Sequence, residues 1–73
     1  MDPQATWNQL LDAYAAADWE LVEELAAALR QWLARGGFLP HTTGRLDLGP
    51  TFDEQLALTA CAVALGQATR RKP

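Results

Sequence analysis

One cysteine and one histidine are all that the 73-residue chain holds of the usual redox and soft metal-binding side chains. The lone Cys61 excludes an internal disulfide, and one Cys with one His (His41) is too few for a structural zinc site. β-branched residues are scarce, which argues against a sheet protein. No apolar run approaches the roughly 20 residues of a membrane span. Met1-Asp2-Pro3 lacks the basic start of a secretory signal. The expectation is therefore a cytoplasmic protein that does not enter a membrane. Basic residues are also few: only Arg70-Arg71-Lys72 forms a cluster. Three bases at a terminus do not make the basic, aromatic-bearing stripe that nucleic acid requires, so no nucleic-acid partner is expected.

What the chain has instead is alanine and leucine, within a composition that is 49% hydrophobic. These residues favour tightly packed helices. At this length a single core is only just sufficient. Without disulfide or metal, stability must come from close helix packing or from oligomerisation. The net charge of −3 is unevenly spread: residues 1–24 carry six acids and no base, and the remainder carries three acids and six bases. Most of this follows helix dipoles, with acids at helix starts and bases at helix ends.

The spacing predicts three helices, over residues 3–17, 19–35 and 52–69, with a loop over 36–50. Asp2-Pro3 starts the first, with Asp2 as the cap. Its apolar stripe is Trp7, Leu10, Leu11, Tyr14 and Ala17. Asp18 caps the second helix, and the short break between the two implies an antiparallel hairpin. The second helix carries two adjoining stripes: Trp19, Val22, Ala26, Leu29 and Leu33, then Leu21, Leu25, Ala28 and Trp32. It needs a neighbour on each side, so it is central. Gly36-Gly37 stops it, one glycine taking a left-handed conformation. Phe38-Leu39 folds back onto its last turn, and Leu46 and Leu48 pin the loop. Thr51 with Glu54 reads as a capping box for the third helix.

The fold expected is an all-α three-helix bundle in one domain. Its core should contain Trp7, Tyr14, Val22, Leu25, Leu29, Leu33, Leu56 and Val63. The third helix carries one stripe of Phe52, Leu56, Ala60 and Val63 and a second, Leu58, Cys61 and Leu65, roughly opposite it. Either the 38–50 loop covers it or a partner does. The small residues Ala57, Cys61, Ala64 and Ala68 would allow a close helix approach in a dimer.

The first hairpin resembles the tetratricopeptide repeat. Trp7, Leu10 and Tyr14 match the first helix of that motif, Ala17-Asp18-Trp19 looks like its turn, and Val22, Ala26 and Leu29 fall at the spacings of its second helix. Leu11 stands where a glycine is usual, and the terminal proline is missing from its place. Only one copy is present, whereas stable arrays need about three. The resemblance implies protein–protein interaction rather than catalysis.

Catalytic patterns are thin. Cys61 sits in an apolar context that wants a small hydrophobe, and Glu20, Glu23 and Glu24 share a solvated face with nothing converging on them. No phosphate loop, nucleophile elbow or metal-spaced cluster occurs. The expectation is a non-enzymatic module, without cofactor, that binds a protein or peptide and can self-associate as a homodimer through Leu58, Cys61 and Leu65. The alternatives are an acidic decoy that binds a basic partner through Asp12, Asp18, Glu20, Glu23 and Glu24, and, last, a small enzyme. If the loop covers the third helix, the concave face of the first hairpin becomes the binding candidate.

Overall fold

Asp2 opens the structure as a helix cap: its carboxylate accepts from the N–H groups of Gln4 and Ala5 at 3.0 and 3.2 Å, and Pro3 follows at the first helical position. The computed structural model describes residues 1–71 and consists of three helices, α1 (Pro3–Ala15), α2 (Trp19–Ala34) and α3 (Pro50–Arg71). It is an all-α three-helix bundle. Lys72, grouped with Arg70 and Arg71 in the terminal basic cluster, lies outside the described residues.

Two turns of the same kind end α1 and α2. After α1, the Asp18 N–H donates to the Ala13 carbonyl at 3.0 Å and the Ala17 N–H to that of Tyr14 at 3.1 Å. After α2, the Gly37 N–H donates to Trp32 and the Gly36 N–H to Leu33. This double bonding requires a left-handed residue at the turn. Gly36 supplies it at φ +77°, and Ala17 supplies it at φ +57° despite its Cβ. Helix α1 therefore ends two residues earlier than its apolar pattern suggests. Asp18 caps α2, accepting from the Leu21 N–H at 3.4 Å.

The three-residue turn makes α1 and α2 antiparallel, and Tyr14 meets Trp19 edge to face across it, with ring centroids 5.3 Å apart. The connection to α3 is held by side chains at each step. Trp32 Nε1 donates to the Phe38 carbonyl at 2.8 Å. Gln4 Oε1 accepts from the His41 N–H at 2.7 Å while its Nε2 donates to the His41 carbonyl at 3.2 Å. The next residue, Thr42, donates both its N–H and its hydroxyl to Asp53. Adjacent loop residues thus tie the first turn of α1 to the first turn of α3, so those helices run parallel and α2 runs against both.

Pro40 is fully buried and Leu39 packs on the core, whereas Phe38 is 83% exposed and Leu46 and Leu48 point to solvent. The expected leucine pins are absent: the strap is fastened by Gln4, Pro40 and Asp53 instead. Helix α3 begins at Pro50, so Thr51 lies inside the helix and is exposed rather than capping it. Gly49 precedes the helix at φ +92°, its N–H bonded to Asp47 Oδ1 and its carbonyl accepting from the Asp53 N–H.

The core sits along α2, where Val22, Ala26, Leu29 and Leu33 are buried; Trp7, Leu10 and Ala13 meet them from α1. From α3 come Ala57, Cys61, Ala64 and Ala68, in line with Asp53 at the helix start. This corrects the expected phase of α3. Val63 is 54% exposed and Leu56 only half-buried, while Cys61 is fully enclosed. Tyr14 is also exposed along one edge, and Leu25 is half-buried at the margin of the core. Small side chains occupy the centreline of α3 because they let its backbone approach α2 closely, and the larger ones flank that line.

Candidate groove between the first and third helices

Helix α2 packs against both α1 and α3, but α1 and α3 scarcely touch each other. In a closed three-helix bundle all three pairs would meet. Here the tie through His41 and Thr42 holds the helices together at one end, and beyond it they leave an apolar groove of about 370 Å³. Helix α1 contributes Leu10, Leu11 and Tyr14; α3 contributes Leu56, Thr59, Ala60, Val63 and Ala64. No charged side chain lines it.

The two walls follow from helical phase. On α1, Leu11 and Tyr14 lie to one side of the buried line Trp7–Leu10–Ala13, turned toward α3. On α3, Phe52, Leu56, Ala60 and Val63 lie to one side of the line Ala57–Cys61–Ala64–Ala68. Leu11, Tyr14, Phe52 and Val63 are all exposed, so the groove and its α3 rim form one continuous apolar surface. Contiguous apolar patches on small proteins mark interaction sites more often than scattered single residues do.

The expected partner-binding set does not assemble on the surface. Cys61 lies at the centre of the core, and Leu58 and Leu65 are half-buried, packed against the core cluster on the flank of α3 away from the groove. Leu25 and Trp32 on α2 are partly buried against the same cluster, so the second stripe of α2 serves that flank. The surface that is left open is the one assigned to the core from the sequence. The helical stripe of Phe52, Leu56, Ala60 and Val63 reads as core in the sequence; close helix packing puts Ala57, Cys61 and Ala64 there instead.

The titratable groups bear on chemistry. Burial pushes the Cys61 thiol up, outweighing the lowering effect of Arg30. A nucleophilic cysteine needs the opposite shift. The Asp53 carboxyl is held below the usual carboxylate range by the Thr42 hydroxyl and then the Thr42 N–H, against the upward push of burial; His41 adds a smaller lowering effect. Asp53 is thus committed to the strap. Asp47 accepts from the Gly49 N–H. Glu20 and Glu24 are exposed on α2, on the side away from its buried line. Among the described residues no group of three metal-ligating side chains converges, and no helix is long and apolar enough to cross a membrane.

Comparison with protein families, with characterised proteins and with solved structures finds no match for this chain.

Proposed function

We propose that the chain is a protein-interaction module whose α1–α3 groove receives an apolar helical face of a partner. One observation carries the reading: α1 and α3 flank α2 without closing on each other, so the arrangement has three corners of a four-helix bundle and an open fourth. Helix-in-groove recognition uses such a surface, with anchors at i, i+3, i+4 and i+7 of the incoming helix. The resemblance of the first hairpin to a tetratricopeptide repeat supports the same class of function. The decoy reading has less support, because no charged side chain lines the groove.

Photo-crosslinking in cells tests this directly. A benzoyl-phenylalanine placed at Val63 should yield discrete protein adducts, while the same group at the exposed Gln31 on α2 should not. Equal labelling at both positions, or none at either, overturns the proposal.

A further inference from the structure

The groove has a direction. Helices α1 and α3 are tied at their first turns by the strap and run parallel, so Ala15 and Arg71, their last residues, lie toward the same end of the molecule. Resting on the functional reading above, we infer that the occupant is an amphipathic helix with an acidic first turn, lying antiparallel to α1 and α3 so that this turn meets Arg70.

The two walls differ in length. Helix α1 has 13 residues and α3 has 22. With their starts tied, α3 runs on past Ala15 by roughly 13 Å at the usual helical rise. There the two-walled groove gives way to a smaller hollow of about 230 Å³ on α3 alone, lined by Ala62, Val63, Gly66, Gln67 and Arg70. Val63 lines both hollows, so they are continuous. Ala62 and Gly66 keep the extension low. A Cβ at Gly66 would meet nothing within 4 Å, which leaves room for another backbone to approach α3.

The chemistry changes along this line. The groove between the walls holds no charge, whereas the hollow beyond it holds the Gln67 amide and the Arg70 guanidinium, the one charged side chain that lines either. An occupant that spans both is therefore apolar along most of its length and anionic at one end, and a carboxylate is the group whose two oxygens match a guanidinium. A helix meets this requirement without strain, because acids in its first turn also stabilise its own N-terminus. Its direction follows from the dipoles. The C-terminal ends of α1 and α3 carry partial negative charge, and the N-terminus of an incoming helix carries partial positive charge. Laid in that sense, the occupant is parallel to α2 and antiparallel to both of its neighbours, which completes an up-and-down four-helix arrangement. Arg70, at the rim, sets orientation and register; the apolar groove supplies the affinity.

Two fluorescein-labelled helical peptides of about five turns serve as probes. Both carry leucines at i, i+3, i+4 and i+7 in an alanine background, and they differ only in having glutamates or lysines in the first turn. By fluorescence anisotropy the glutamate peptide should bind the wild type about 10-fold more tightly than the lysine peptide, and Arg70→Glu should reverse that order. The reversal cannot come from misfolding, since the lysine peptide gains affinity. Val63→Glu should weaken both. A nitroxide at the N-terminus of the glutamate peptide should broaden the amide signals of Ala15 and Gln67 more strongly than those of Gln4 and Phe52. Equal affinities, an order that survives Arg70→Glu, or the opposite broadening pattern overturns the inference and leaves the interaction module standing. If neither peptide binds, the inference also falls, and the Val63 crosslinks in cells decide the module separately.

Discussion

Thr42 grips Asp53 twice, its hydroxyl donating to Oδ1 at 2.7 Å and its backbone N–H donating to the same oxygen at 3.1 Å. This contact fastens the strap to α3, and Gln4 fastens the neighbouring His41 to α1. Both bonds favour the ionised carboxylate, and the native pKa is lowered. The unfolded chain therefore takes up the proton first as pH falls. The stabilisation is present in full above the unfolded value of about 3.9 and is lost as pH falls from there through the lowered native value. Chemical denaturation of the wild type should show this acid loss, and Thr42→Val, which removes the hydroxyl, should flatten it. Identical pH slopes for the two proteins between pH 5 and 2.5 would exclude the Thr42 hydroxyl bond to Asp53 as the source.

Gly36 and Gly37 are both required, for different reasons. Gly36 sits at φ +77°, and a Cβ there meets open space but a strained backbone. At Gly37 a Cβ would fall inside the Trp32 indole, which is itself fixed by its bond to the Phe38 carbonyl. The sequence pattern suggests one sensitive and one tolerant glycine; the structure makes both sensitive. Gly36→Ala should cost about 1–2 kcal/mol, the usual left-handed penalty. Gly37→Ala should also lower the denaturation midpoint, and it alone should alter Trp32 fluorescence in the native state, read in a Trp7→Phe, Trp19→Phe background.

The three helices were legible because the signals that define them are local. Asp2, Asp18 and Gly36-Gly37 each act within one turn of the chain, and α2 advertises its central place by being apolar over two adjoining stripes. The face of α3 was not legible in the same way. Leu56, Leu58, Val63 and Leu65 surround the line of Ala57, Cys61 and Ala64, so apolar residues occur on most sides of the helix. Which side faces α2 is decided by how closely two backbones can approach, and that favours the small residues. Asp53 belongs to the buried line only because Thr42 reaches it from the strap, a pairing across 11 positions that helical periodicity does not contain. The open groove follows from the same choice, since it is lined by the side chains left over.

Ala17 adopts φ +57°, a conformation that costs an ordinary L-residue roughly 1–2 kcal/mol and glycine almost nothing. The turn bonds of Ala17 and Asp18 do not involve its side chain, which is exposed. Ala17→Gly should therefore stabilise the protein by about 0.5–1 kcal/mol once the greater freedom of glycine in the unfolded chain is subtracted. Thermal unfolding of the two proteins side by side measures it; a lower midpoint for Ala17→Gly would show that the turn is not left-handed at this position.

Cys61 is the sharpest test of how α3 packs. It lies at the centre of the buried line between Ala57 and Ala64 and is fully enclosed. If close approach to α2 sets this face, a larger side chain cannot be accommodated without separating the helices, and overpacking of that kind costs about 1–3 kcal/mol. Cys61→Leu should destabilise by that amount, although leucine is the better helix former and the more apolar residue. Cys61→Ala should cost less, because alanine is smaller and matches its neighbours on the line. The thiol offers an independent readout in the unmodified protein. Burial removes it from solvent and raises its pKa, so its reaction with an aromatic disulfide reagent should wait for unfolding and slow in step with stability across variants such as Leu29→Ala, whose truncation should cost about 2–5 kcal/mol. Immediate labelling of the native chain, together with a neutral Cys61→Leu, would place Cys61 at the surface and put Leu56 and Val63 back inside.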